Sequence, residues 1–178
     1  MTICLSFHTL QASLLFKDKV GTLFLVRLYQ DAEKDYLPLK EMYQGFEPKE
    51  GTQGLPPRTE EKREEWLKSL LKGGINLLAL VEERVVGHAA LLEMEPSRNY
   101  EYMVFVHQDY QNRGIGTALT QTVKDIAKSM EYHQIWLTVE TINLRAIHVY
   151  EKVGFCRVGP RDVECEMVIN LKRRNEGQ

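Results

Sequence analysis

The sequence predicts an α/β fold: a mixed, mostly antiparallel central sheet with one parallel βαβ pair and helices on both faces. Two observations carry this. Val104 to Leu119 passes from a β-branched and aromatic strand through a polar loop into an amphipathic segment, and a further strand, Gln134 to Glu140, follows it. Strands joined through a helix lie parallel. Elsewhere Ile75–Val81 with Val85–Met94, and Phe155–Val158 with Val163–Leu171, read as strands joined by short turns, hence antiparallel.

Taken in order, Met1 to Phe16 is moderately apolar but lacks the basic start and strongly apolar centre of a signal peptide, so it reads as an extra strand or extended arm. Residues 1–20 form an N-terminal extension, expected to cover a sheet edge or to mediate self-association as a homodimer. Thr22–Tyr29 is the first strand of the main domain, residues 21–171. Asp31–Tyr43 reads as a helix with Asp35 as its N-cap and Pro38 in the first turn. Gln44–Arg58 is a long loop rich in Gly and Pro, of the kind that carries function or mobility.

Thr59 opens the next helix, with Glu60 and Glu61 where the helix dipole favours anions. Trp66, Leu67, Leu70 and Leu71 form its buried stripe, and Gly73-Gly74 stops it. His88, inside a strand, reads as a packed, hydrogen-bonded histidine. Asn143 caps a helix running through Lys152, and Gly154 ends it in the left-handed conformation. Residues 172–178 are a polar tail.

Composition narrows the function classes. A net charge of −2 over 178 residues argues against a dedicated nucleic-acid binder. No apolar run approaches the length of a membrane span. Cys4, Cys156 and Cys165 are odd in number and lack C-x-x-C spacing, which points to reduced cytoplasmic thiols rather than a disulfide framework or zinc site. The 5 histidines are scattered, so no metal is expected.

The chemistry concentrates in His107 to Thr117. Successive backbone N–H groups from Asn112 through Arg113, Gly114, Ile115, Gly116 and Thr117 meet the mouth of a helix, whose first amides lack intrahelical partners and carry partial positive charge. A phosphate or pyrophosphate satisfies both conditions. Gly114 and Gly116 let the chain turn and a ligand oxygen approach, and Gln111 and Arg113 add donors. The P-loop pattern is absent, since no lysine follows Gly116. The dinucleotide fingerprint fails at Leu119 and at the polar spacer before the glycines.

Gln111-x-x-Gly114-x-Gly116 resembles the [R/Q]-x-x-G-x-[G/A] signature of the GNAT superfamily of N-acetyltransferases. Val106-x-x-x-Tyr110-Gln111 before it and Asn143-x-x-Ala146-x-x-x-Tyr150-x-x-x-Gly154-Phe155 after it also resemble family motifs, in order and at suitable spacing. The resemblance runs from about Gly21 to Leu171. It implies transfer of the acetyl group of acetyl-coenzyme A to a primary amine (a small amine, or a protein lysine or N-terminus) by direct attack in a ternary complex. It also implies that the Asn112–Thr117 loop binds the pyrophosphate, that main-chain groups of Val104, Phe105 and Val106 bond the pantetheine arm, and that Asn143 and Ala146 line the far side of the channel.

Further roles follow from the resemblance alone. Tyr150 matches the tyrosine that protonates or hydrogen-bonds the departing thiolate; packing beneath the sheet is its competing explanation. Glu101 matches the carboxylate that acts as base through water, against the competing reading of a solvent-exposed strand-end carboxylate, with Glu93, Glu95 and His107 as other candidates. Alternation places Glu101, Met103 and Phe105 on one strand face and Tyr102, Val104 and Val106 on the other. The Gln44–Arg58 loop occupies the place that shapes the acceptor pocket, where Tyr43, Phe46, Glu47 and Glu50 could welcome a cation. The alternative function is a non-catalytic acetyl-CoA-binding regulatory module.

Overall fold

Period-two alternation governs the strands that build the sheet. In the computed structural model, Leu77 and Ala79 of one strand pack on one sheet face, while Leu78 and Leu80 pack on the other. The structure describes residues 13–30, 32–47, 55–94, 99–160 and 162–171. The expectations for residues 1–12 (with Cys4), Glu50, Glu95 and the 172–178 tail lie outside the described residues.

Eight strands form one sheet: β1 Leu14–Lys17, β2 Leu23–Leu28, β3 Ile75–Val81, β4 Arg84–Met94, β5 Asn99–Val106, β6 Gln134–Glu140, β7 Cys156–Val158 and β8 Glu164–Asn170. Their spatial order is β1-β2-β3-β4-β5-β6-β8-β7. All neighbouring pairs are antiparallel except β5 and β6, which are parallel. The final hairpin therefore docks through its second strand: β8 lies between β6 and β7. Part of the 1–20 segment supplies β1, an edge strand in register with β2 from Leu14↔Val26 to Lys17↔Leu23.

Helices α1 Ala32–Gln44 and α2 Glu60–Lys72 cover one face; α3 Ile115–Ser129 and α4 Leu144–Val153 cover the other. Under α1 and α2 lie Leu39, Met42, Tyr43, Phe46, Leu67, Leu78, Leu80, Val85 and Phe105, all buried. Under α3 and α4 the core includes Leu77, Tyr102, Leu119, Val123, Leu137, Ile147 and Tyr150. Thr59 caps α2 by accepting from Lys62 N, and Asn143 caps α4 by accepting from Ala146 N at 3.1 Å.

Asp35 is a correction. It sits inside α1, buried, where its carboxylate accepts from Nη1 and Nη2 of the Arg27 guanidinium at 2.8 and 2.6 Å and from Gln30 N at 2.9 Å. The bidentate pairing pulls it beneath the helix start and onto β2, a partner that lies far enough away in sequence to escape a local pattern.

Candidate functional site

The parallel pair that the chain pattern predicts is short. β5 and β6 pair only at Asn99↔Gln134, Tyr100↔Ile135 and Glu101↔Trp136, although β5 continues to Val106 and β6 to Glu140. Past Glu101 the two strands part. β4 stays in register with β5 throughout, from Met94↔Asn99 to Gly87↔Val106.

Which groups face the gap follows from the antiparallel rule that directly opposite residues alternate between bonded and non-bonded pairs. His107 N donates to Val86 O at 2.9 Å, in the same register. Phe105 and Met103, two and four residues back, therefore turn their main chain toward β4. Tyr102, Val104 and Val106 turn theirs toward the gap. The expectation that Phe105 offers main-chain groups to a ligand is corrected here: its main chain faces His88, and its side chain is buried under α1 and α2. Among the gap-facing groups, Val106 O already accepts from the Gln111 side-chain Nε2 at 2.9 Å. Gln111 is thus folded back on the strand end, not held out as a donor beside the loop.

The loop itself is built by backbone conformation. A short 3-10 turn, Gln108–Tyr110, leaves β5; Asn112 and Gly114 then adopt positive φ of 63° and 98°. The second value suits glycine, which has no Cβ to clash. Helix α3 begins at Ile115 without a side-chain cap. Among the described residues, no protein acceptor takes the N–H groups of Asn112, Arg113, Gly114, Ile115, Gly116 or Thr117. A Cβ built on Gly116 would meet only Val106 Cγ2, at 3.7 Å. The result is a concave run of unsatisfied donors at a helix N-terminus, which suits a diphosphate.

Residues that local patterns missed buttress this loop. Tyr102 Oη lies 2.9 Å from Thr120 Oγ1, which donates to Gly116 O at 2.7 Å, so β5 is tied to the first turn of α3. From the β1–β2 turn, Lys19 N donates to Arg113 O at 3.0 Å, and the buried Asp18 carboxylate stands 3.8 Å from Arg113 Nη1. Arg113 also lies over the Tyr110 ring, 5.0 Å from its centroid.

Tyr150 and Glu101 stand on opposite sheet faces, on either side of the gap between β5 and β6. Tyr150 is buried on α4, packed beside Tyr102 and Phe155 with ring centroids 6.3 and 5.8 Å away. Burial raises its phenol pKa, so the hydroxyl stays protonated at neutral pH. Glu101 is half-buried at the fork where the strands part, and desolvation raises its carboxyl pKa. Asn143 is exposed and spends its Oδ1 on the α4 cap, with Ala146 half-buried one turn before Tyr150. Glu93 is exposed, and His107 is buried at the strand end, with its pKa lowered by burial.

The expectation for Tyr43 and Phe46 changes. Both are buried in an aromatic cluster with Trp66 and Phe105, at centroid distances from 5.2 to 6.3 Å. Their rings are packed on one another and away from solvent, so they are not placed to receive a cation. Among the described residues no group of His, Cys, Asp and Glu could hold a metal ion, and no helix is long and apolar enough to cross a membrane.

Comparison with known proteins agrees with this geometry. The model of the acetyltransferase (GNAT) family matches residues 27–155. N-alpha-acetyltransferase 30 of Schizosaccharomyces pombe is 38% identical over 60 residues, covering 34% of this chain and 40% of that protein. N-acetyltransferase 8 of Homo sapiens is 30% identical over 93 residues, covering 49% of this chain and 41% of that protein. N-alpha-acetyltransferase RimI of Mycobacterium tuberculosis is 36% identical over 80 residues, covering 43% and 49%. The chain thus spans less than half the length of these curated relatives. Among solved structures, the GNAT domain of S. lividans PAT superposes with a TM-score of 0.78 at 14% identity, over 94% of this chain and 99% of that one. The Salmonella typhimurium acetyltransferase yncA, solved with its cofactor acetyl-CoA, gives 0.65 at 18% identity, over 85% and 96%. At such identities the likeness is one of fold.

Proposed function

Because the chain belongs to the acetyltransferase (GNAT) family, we propose that it transfers the acetyl group of acetyl-CoA to a primary amine within a ternary complex. The observation that carries this reading is the run of unpartnered amides from Asn112 to Thr117 beside the gap between β5 and β6. The amides suit the diphosphate of the donor. Val104, with both main-chain groups turned to the gap, and Val106 N–H suit the amides of its pantetheine arm. Asn143 and Ala146 border the same channel from α4.

The reaction forms an N–C bond at the acetyl carbon and breaks the C–S bond. An amine of pKa ~10.4 costs about 4.6 kcal/mol to deprotonate at pH 7, so a base near the attacking nitrogen lowers the barrier. Glu101 takes that proton, directly or through water; its raised pKa makes it a better base than an ordinary carboxylate. Tyr150 supplies the proton or hydrogen bond that the departing thiolate needs, and its burial keeps the phenol loaded. An entering ammonium gives one proton to Glu101 and on to solvent. The second proton, shed by the acylated nitrogen, replaces the one Tyr150 gives to sulfur, so amide, thiol and one H+ leave.

The acceptor is an amine. The relatives bear names ranging from N-alpha-acetyltransferase to spermidine N(1)-acetyltransferase and L-amino acid N-acyltransferase. Residues 21–171 act as the acetyltransferase unit. A cytoplasmic setting fits Cys156 and Cys165, which stand as free thiols. A thiol-release assay with acetyl-CoA and a panel of N-terminal peptides, lysine peptides, polyamines and amino acids tests the proposal. Release dependent on one amine class supports it. Tight donor binding without release to any class supports the regulatory alternative.

A further inference from the structure

The 3-10 turn after β5 does more than deliver the chain to the amide loop. Gln108, its first residue, donates from Nε2 to Gly45 O at 2.8 Å and accepts at Oε1 from Glu47 N at 3.1 Å. Its side-chain amide therefore imitates one rung of an antiparallel ladder, closed on the residues that leave α1. Beside it, the buried His107 packs against Gly45, where a Cβ would come within 3.2 Å of the ring. Between these contacts Phe46 packs on Phe105. The opposite side of the same turn is fixed to the loop: Gln111 N donates to Gln108 O at 3.2 Å, and the Gln111 side chain returns to Val106 O. Gln108 thus stands between the donor loop and the end of α1, which borders the β5 face carrying Glu101.

We propose that Gln108 is a positioning residue that couples occupancy of the donor loop to the placement of Gly45–Glu47 on the acceptor side. This rests on the acetyltransferase reading above. Gln108 spends both ends of its side-chain amide on the protein itself. When ligand phosphates engage the amides that begin two residues beyond Tyr110, the 3-10 turn is held in one geometry, and the Gln108 amide is held with it. The rung to Gly45 and Glu47 is exposed, so its strength depends on how firmly its carrier is fixed.

The test reads the backbone amide of Glu47 itself. Hydrogen exchange followed by NMR on the unaltered chain, with and without saturating acetyl-CoA, should show that amide slowing by about threefold or more; by linkage, Q108L should lose a comparable factor in acetyl-CoA affinity. In Q108L the Glu47 amide should no longer respond to acetyl-CoA. Q108E keeps an acceptor for Glu47 N–H but loses the donor to Gly45 O, which its carboxylate repels, so its Glu47 amide should likewise fail to respond. A Glu47 amide that ignores bound acetyl-CoA in the unaltered chain, or a Q108L variant that binds acetyl-CoA undiminished, overturns the coupling. Calorimetry separates this from a failure of the functional reading: a chain that does not bind acetyl-CoA at all refutes both, whereas binding with a silent Glu47 amide refutes the coupling alone.

Discussion

The hydroxyl of Tyr43 donates to Nδ1 of His88 at 2.6 Å, across the interface between α1 and the sheet. His88 Nε2 in turn lies 3.0 Å from Asn76 Oδ1, and Asn76 Nδ2 donates to Leu70 O and Gly73 O at the end of α2. The Asn76 orientation is fixed by those two carbonyls, so its oxygen must accept and the histidine carries its proton on Nε2. The chain of bonds pins both helices to β3 and β4 with every polar group satisfied, and it leaves no room for a second proton on the ring.

That arrangement has a pH signature. Burial lowers the His88 pKa from 6.5 to about 3. Between those values the unfolded chain binds a proton that the folded chain refuses, so acidification favours unfolding by up to about 1.4 kcal/mol per pH unit. His88→Gln keeps one donor and one acceptor but does not titrate. The unaltered protein should be the more stable at pH 7.5, and the gap to H88Q in urea melts should narrow as pH falls below 6.5. A gap constant down to pH 4.5 would contradict the assignment.

Gly116→Val should abolish acetyl-CoA binding while leaving the fold intact. Protein atoms leave room, since the nearest neighbour of an added Cβ is Val106 Cγ2 at 3.7 Å. The space it fills is the approach to the free amides. Calorimetry should show at least about a hundredfold loss of affinity, roughly 2.7 kcal/mol, with an unchanged circular dichroism spectrum. Retained affinity would detach the loop from the donor.

Tyr150→Phe should lower kcat by about tenfold to a hundredfold, with donor affinity changed far less. The ring packing against Tyr102 and Phe155 survives the change; only the hydroxyl is removed. Parallel losses in kcat and in acetyl-CoA affinity would instead make Tyr150 a packing residue.

Glu101→Gln should erase the acid limb of the kcat/KM profile. In the unaltered protein that limb should sit above the ordinary carboxylate range, because burial raises this carboxyl pKa. Activity is then lost as pH falls through the raised value, when the base becomes protonated. The rise toward alkaline pH that comes from the acceptor amine should persist in both proteins. An acid limb unchanged in E101Q would pass the role to another group.

The sequence by itself determined the elements and the glycine loop before α3. Strand alternation in β3 to β5, helical spacing in α3 from Leu119 to Ala127, the Thr59 and Asn143 caps and the glycine turn at Gly114 are all short-range features, settled by neighbours a few positions away. Tertiary structure decided what depends on distant partners. It set β8 between β6 and β7, ended the β5–β6 ladder at Glu101, drew Asp35 under Arg27 and sank Tyr43 and Phe46 into the core. It also folded Gln111 back on Val106 and reached Gln108 across to Gly45. Those outcomes are set by which surfaces bury best and which donors find acceptors once all the elements are packed, and no window of adjacent residues contains that information.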